Sequence, residues 1–294
     1  MATVLGIDHK TLAMSTVALS VGVAAYSTYR LYAERRGKES DNVYESRKLL
    51  NEYLVFHFGT PQEVLKYDFG PKDSLDFPRR CAELCLKHYR DNSGIPNRAL
   101  DIGCAVGRST FELCRVVEQV VGIDYSQSFV DACNALKTDG KMDYFVVDEG
   151  DLTTDLVARV APDIDRSRAE FQQGDACALR SDLGKFGIVL AANLICRLHH
   201  ATAFLQRLPG LVASGGVVVI TAPYTWLPDF TDKENWLGGY KDASGNAVTG
   251  FSALKKWLSP DFDLLEEVNM PFFIRETARK NQWTVAHATV WRRK

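Results

Sequence analysis

Leu100-Asp101-Ile102-Gly103-Cys104-Ala105-Val106-Gly107-Arg108-Ser109 is the stretch on which the fold turns. A short apolar run from Arg98 to Ile102 leads directly into two glycines, and a helix is expected to follow them. Glycine lets a backbone turn sharply and approach a ligand where no Cβ would fit. The first turn of the next helix offers N–H groups that have no partner within the helix. A dinucleotide fingerprint would read G-x-G-x-x-G. Here an acid stands two residues before the first glycine, and the spacing is Gly103-x-x-x-Gly107, so no pyrophosphate cradle is indicated.

On either side of this loop, short β-branched runs alternate with helical stretches. Arg98–Ile102, Val120–Ile123, Ala169–Phe171, Ile188–Ala192 and Val217–Ala222 are bounded by turn residues, the signature of parallel βαβ units. Leu264–Val268 and Thr284–Trp291 read as two further strands with no helix between them, hence a hairpin. Ahead of the sheet, Tyr44–Phe58 and the segment around Cys81, Leu84, Cys85 and His88 carry helical spacing. The expected fold is α/β: a doubly wound, seven-stranded, mostly parallel sheet with an antiparallel C-terminal pair. The second strand closes on Gly122-Ile123-Asp124, where an acid is placed to bind both ribose hydroxyls of an adenosine. Gly174-Asp175-Ala176-Cys177 follows the third strand, where a carboxylate can accept from an adenine amino group, and Asn193 ends the fourth. All these positions lie at the carboxyl ends of parallel strands, where open α/β sheets bind ligands.

Composition bounds the rest. The 294 residues are 46% hydrophobic and 24% charged, with a net charge of −2, which excludes a disordered polymer and a polytopic membrane protein. Near-neutral charge gives no electrostatic footprint for nucleic acid. Seven scattered cysteines suggest neither a disulfide framework nor a zinc site, and no metal is expected. The run from Thr11 to Tyr29 carries no charge and, at about 1.5 Å per residue, would just cross a hydrocarbon core of about 30 Å. It reads as a membrane anchor, as a cleaved signal with Val23 and Ala25 before the cut, or as an organelle-targeting or buried segment. Arg30, Arg35, Arg36 and Lys38 follow it and only Lys10 precedes it, which favours an anchor with the body in the cytosol. The division expected is an N-terminal segment over 1–33, a polar linker over 34–43 and one domain with a helical cap over 44–294.

The ordered set of loop and strand-end acids resembles the class I S-adenosylmethionine-dependent methyltransferases. The resemblance implies S-adenosylmethionine as cofactor, bound by Asp101, Gly103, Cys104, Ala105, Gly107, Asp124, Tyr125, Ser126, Asp175, Ala176 and Asn193. Ala105 stands where glycine is common and is expected to fit with φ negative. Longer stretches narrow the likeness: Phe77-Pro78 with Cys81–Cys85, Glu170–Ala178, Ala191–Leu198, Ala222–Phe230, Trp236–Gly239 and Ile274–Lys280. Together, over roughly residues 43–294, they resemble the methyltransferase domain of ovothiol-synthesising enzymes, the 4-mercaptohistidine N1-methyltransferase family.

That resemblance implies N-methylation of a thiolated histidine, the small-molecule partner, with Asn193 and Tyr224 at the methyl-transfer site. Such a substrate carries a carboxylate, an amine and a thiol, so arginine and hydroxyl donors are expected around it. Arg197, Trp226, Arg275 and Glu276 are the substrate-binding candidates, with Tyr44 and Tyr53 as a lid. The larger relatives carry an upstream sulfoxide synthase for which residues 1–42 leave no room, so thiohistidine would come from a separate synthase. Two alternatives stand: methylation of another imidazole or amine, and a catalytically silent membrane-bound partner of a synthase. His199-His200 reads as a solvated pair and Cys81 with Cys85 as core thiols.

Overall fold

The computed structural model describes residues 42–91 and 94–294, together with the backbone of two short paired strands, Thr3–Val4 and Ile7–Asp8. By its contacts the chain divides into two units, Met1–Ser46 and Arg47–Lys294. The expected anchor over 11–29 lies outside the described residues. Among the described residues no helix is long and apolar enough to cross a membrane.

The second unit opens with two helices, α1 (Arg47–Phe58) and α2 (Phe77–His88). The alternating part follows: β1 (Arg98–Ile102), α3 (Arg108–Leu113), β2 (Gln119–Asp124) and α4 (Gln127–Asp139). After an inserted pair, β3 (Lys141–Glu149) and β4 (Leu152–Arg159), come β5 (Ala169–Gln173), β6 (Phe186–Ala192), α5 (Ala201–Leu211) and β7 (Val212–Ala222). The chain ends with α6 (Gly250–Leu258), β8 (Phe262–Arg275) and β9 (Asn281–Arg293). Seven strands form one sheet in the order β8-β9-β7-β6-β1-β2-β5. The five from β7 to β5 are parallel, and β9 runs antiparallel to both its neighbours.

Burial explains the apolar runs. Leu100, Ile102, Val121, Val189 and Val218 are all buried, as strands covered by helices on both faces require. On α2, Phe77, Cys81, Leu84 and Cys85 share the inward stripe, with Pro78 in the first turn, where its missing N–H costs nothing. The helix expected from Tyr44 begins instead at Arg47, because Asn42 caps a separate 3-10 turn at Val43–Glu45.

Three elements roof the carboxyl edge of the sheet. The β3–β4 hairpin was not foreseen; it packs against α1 and α4, with Tyr144 and Val146 turned inward. The second is the end of the β8–β9 ribbon. His287 is level with Ala222, the last residue of β7, and with Asn269 of β8, so residues 270–275 and 281–286 project beyond the sheet. The third is α1, which packs on both: Phe56 lies 6.1 Å from Phe272, and Phe272 lies 4.9 Å from Phe77.

Candidate active site

The loop after β1 bends back over β2, and the N–H groups of Gly103 and Cys104 both donate to the Ile123 carbonyl, at 2.7 and 3.1 Å. Gly103 has φ +73°, a backbone that L side chains rarely adopt, and a Cβ there would press on Leu194 Cδ1 at 2.9 Å. Ala105 also adopts positive φ, +47°, contrary to the expected negative value. The cause is its N–H, which must turn to donate to Asp124 Oδ2 at 2.8 Å. The other oxygen of Asp124 accepts the Ser126 N–H at 2.9 Å. A carboxylate has about four acceptor sites, and these two bonds aim it along the rim where a ribose would lie.

The remaining cofactor candidates divide into rim and foundation. Gly107, at φ +86°, is the residue before α3, and Tyr125 is exposed beside Asp124. Asp175 is exposed at the end of β5 and accepts the Cys177 N–H at 2.8 Å. Ser126 is fully buried and caps α4 by accepting the Phe129 N–H; Cys104 and Ala176 are buried too. Asp101 lies beneath the loop rather than on it: it is 1% exposed and accepts from Thr110 Oγ1 at 2.7 Å. Burial, with a smaller push from Asp124, raises its pKa to about 7.

Sequence reading missed His57. Its Nδ1 accepts the Arg108 N–H at 3.4 Å, while Arg108 Nη1 donates to the His57 carbonyl at 3.0 Å, so α1 caps the start of α3. Burial, and next Arg108, push the His57 pKa down to about 3, which keeps Nδ1 an acceptor. One turn earlier, the Tyr53 ring lies 4.9 Å from Phe129 at the start of α4. Tyr53 therefore stands at the cofactor rim, on the roof. Tyr44 belongs to the other unit, where Asn42 Oδ1 accepts its N–H.

The acceptor side forms past β6 and β7. Asn193 and Tyr224 both have φ +53°, and for a tyrosine this left-handed backbone costs of order 1–3 kcal/mol. The Thr221 hydroxyl accepts the Asn193 N–H and donates to Asn193 Oδ1, both at 2.9 Å. This identifies the oxygen of the amide and turns Nδ2 away from Thr221. The Tyr224 ring packs on Gly250 at the start of α6, where a Cβ would approach it to 2.3 Å. Its hydroxyl lies 3.0 Å from His287 Nδ1, and His287 Nε2 lies 3.3 Å from Glu267 Oε2. Burial holds the Tyr224 pKa well above its ordinary value. Beside this group is a cavity of about 600 Å³ lined by Tyr224, Trp226, Tyr240, Lys241, Thr249 and Phe251, among others. Trp226 is 9% exposed and its indole N–H has no partner among the described residues.

The other expected substrate ligands hold protein to protein. Arg197 donates to the Thr225 carbonyl at 2.9 Å and stacks 4.7 Å from the Phe230 ring centre, bracing the loop after β7. Arg275 is 5% exposed; it donates to the Glu63 carbonyl at 2.6 Å and to Asp148 Oδ1 at 2.8 Å, tying β8 to the hairpin and to the turn after α1. Glu276 accepts from Gln282 and Lys280 in the turn between β8 and β9. His199 and His200 are exposed, and Cys81 and Cys85 are fully buried.

The rim fits an adenosyl group: a glycine turn at positive φ, then the Asp124 carboxylate, then Asp175 at successive strand ends. Residues 100–220 match the profile of a family described as "Methyltransferase domain". No curated protein matches the chain. Among solved structures it is similar to the N-methyltransferase NodS from Bradyrhizobium japonicum in complex with S-adenosyl-L-homocysteine, at 15% identity and TM-score 0.45 over 83% of this chain and 98% of that one. It is also similar to the YcgJ protein from Bacillus, at 14% identity and TM-score 0.47 over 73% and 99% of the two chains. For the [4+2]-cyclase SpnF the figures are 14% and 0.47, over 73% and 81%. The matched domain over residues 100–220, on this sheet and with this loop, makes the protein a methyltransferase with S-adenosylmethionine as its cofactor.

Proposed function

We propose that the protein N-methylates the imidazole ring of a thiolated histidine, 5-thiohistidine, at the nitrogen nearer the side chain. The observation that carries this reading is the make-up of the cavity beside Tyr224. Tyr224, Trp226 and Gly239 on its walls come from the stretches Ala222–Phe230 and Trp236–Gly239, which resemble the ovothiol-forming family and have no cofactor duty, and residues 240–251 supply the remaining walls. Aromatic faces from Tyr224, Trp226, Tyr240 and Phe251 suit a flat ring, and Lys241 suits a carboxylate.

S-adenosylmethionine supplies a methyl group activated on a sulfonium. What the chain must do is orient a nitrogen lone pair toward that carbon and keep water out, which carries much of the acceleration in such transfers. Asn193 Nδ2, turned away from Thr221, is a donor available to fix the ring.

Full-length protein with S-adenosylmethionine and a panel of histidine derivatives, read by mass spectrometry, tests the acceptor. A site built to hold a polar group rejects analogues lacking it by up to about 10⁴-fold. Histidine is expected to show kcat/KM at least about a hundredfold below thiohistidine. Comparable values would move the function to another imidazole or amine.

We further propose that residues 11–29 anchor the chain with its body in the cytosol, and that a separate sulfoxide synthase supplies the thiohistidine. Release of the full-length protein by carbonate extraction would overturn the anchor, and protease protection of the body would reverse its orientation.

A further inference from the structure

We propose that Tyr224, His287 and Glu267 form a proton relay for the acceptor, which must then be an azole bearing an N–H. The proposal rests on the ring-methylation reading and extends it to the fate of the ring proton. Glu267 and His287 are diagonal neighbours on one face of the β8–β9 ribbon, with Glu267 opposite Thr289 and Asn269 opposite His287. The ribbon carries His287 level with the end of β7, and the chain leaving β7 brings the Tyr224 hydroxyl to 3.0 Å from Nδ1. The Glu267 carboxylate, 3.3 Å from Nε2, favours a proton on that nitrogen, leaving Nδ1 as the acceptor that faces the phenol. The logic is that of a nucleophile, a histidine and an orienting carboxylate, with Tyr224 on the wall of the cavity proposed for the acceptor.

The step balances. The acceptor nitrogen gives up its proton to the Tyr224 oxygen while the phenolic proton passes to His287 Nδ1. The freed electron pair forms the bond to the methyl carbon, whose bond to sulfur breaks with both electrons staying on sulfur. His287, now cationic beside Glu267, returns the proton to solvent, to which it is partly open at 21% exposure. A 5-thiolated imidazole in its zwitterionic form, an imidazolium bearing a thiolate, carries hydrogen on both ring nitrogens and has no lone pair to offer until one is removed, so this acceptor needs such a base. Burial discourages a free phenolate at Tyr224, which makes a shared, onward-passed proton the accessible path. The strained backbone of Tyr224 points the same way, since such strain persists where the surroundings hold it for a purpose. The groups facing His287 are Glu267 from β8, Tyr224 from the loop after β7 and the apolar ring of Phe251, 4.9 Å away, from α6. Cys196 lies within electrostatic reach of Tyr224.

Tyr224 is the catalytic residue in this arrangement, His287 takes its proton, and Glu267 is a positioning residue. General-base catalysis is worth about 10²–10⁴-fold. Steady-state kinetics of the full chain with S-adenosylmethionine and 5-thiohistidine test it. Tyr224→Phe keeps the ring on Gly250 and is expected to lower kcat at least about a hundredfold with KM for S-adenosylmethionine unchanged. His287→Gln should lower kcat and abolish the acid limb of its pH profile, and Glu267→Gln should lower kcat less while Glu267→Asp restores part of it. Folded Tyr224→Phe and His287→Gln enzymes with wild-type kcat and pH profile would overturn the relay and leave the methylation standing. If the wild type makes no methylated thiohistidine, the acceptor assignment fails separately. The relay is then judged by long-range nitrogen NMR of His287. The Nε2–H tautomer, lost in Glu267→Gln, supports it, and the Nδ1–H tautomer overturns it.

Discussion

Ala105 shows how one hydrogen bond can override a residue's own preference. A left-handed backbone costs an L-residue roughly 1–2 kcal/mol, and the loop accepts that cost so that the Ala105 N–H can hold Asp124 in line. Glycine there would relieve the strain but lose about 0.5–1 kcal/mol of backbone entropy on folding. Ala105→Gly is therefore expected to stabilise the protein, by up to about 1 kcal/mol, in chemical unfolding. Had φ been negative, the same substitution would destabilise, so the sign of the change tests the conformation. Ala105, Asn193 and Tyr224 all strain the backbone at carboxyl ends of strands, and strain gathered in one place marks the working edge of the sheet.

Among the elements, the roof is where sequence reading and structure part most. Arg275 was expected to bind substrate, and a guanidinium near an amino-acid pocket is a reasonable expectation. Two of its nitrogens are instead spent on Glu63 and Asp148, joining three elements, and Nε has no partner among the described residues. Breaking a buried pair by removing one partner costs about 3–5 kcal/mol, and Asp148 is partly open to water, so the low end applies. Arg275→Ala is expected to lower unfolding stability by about 3 kcal/mol. A substrate ligand would instead leave stability unchanged and raise KM alone. The hairpin that Arg275 grips was legible in principle. Tyr144-Phe145-Val146-Val147 is an aromatic and β-branched run ahead of a Glu149-Gly150-Asp151 turn, a strand signal. It lies between helix α4 and strand β5, where a βαβ reading expects only a short connection, and so it passes as loop.

For the molecule as a whole, two buried groups pull stability in opposite directions with pH. His57, with its folded pKa near 3 against 6.5, contributes stability that is complete above pH 6.5 and is lost as pH falls toward 3. Asp101, raised from 3.8 to about 7, contributes stability that is complete below pH 3.8 and is lost as pH rises toward 7. Each changes by about 1.4 kcal/mol per pH unit within its window, so between about pH 4 and 6.5 the two nearly cancel. Removing either should expose the other. Asp101→Asn is expected to make unfolding stability rise with pH across that interval relative to wild type, and His57→Asn to make it fall. Parallel curves for all three proteins would show that neither pKa is displaced.

The cofactor half of the site was readable in the chain itself. A turn that needs Gly103 and an acid that closes β2 act through the local backbone, within one βαβ unit, so their order along the sequence carries their geometry. The parallel sheet was readable for a related reason: strands buried on both faces must be apolar throughout. The acceptor half was not. His287 and Glu267 look like polar residues of an ordinary hairpin until the register of β8, β9 and β7 sets them beside Tyr224. His57 is one more histidine on a helix until α1 lies across the start of α3. What a side chain does at such places depends on which distant backbone is laid next to it, and sequence spacing does not record that. Only the tertiary structure decides it, because packing alone brings together groups that no single turn or strand can.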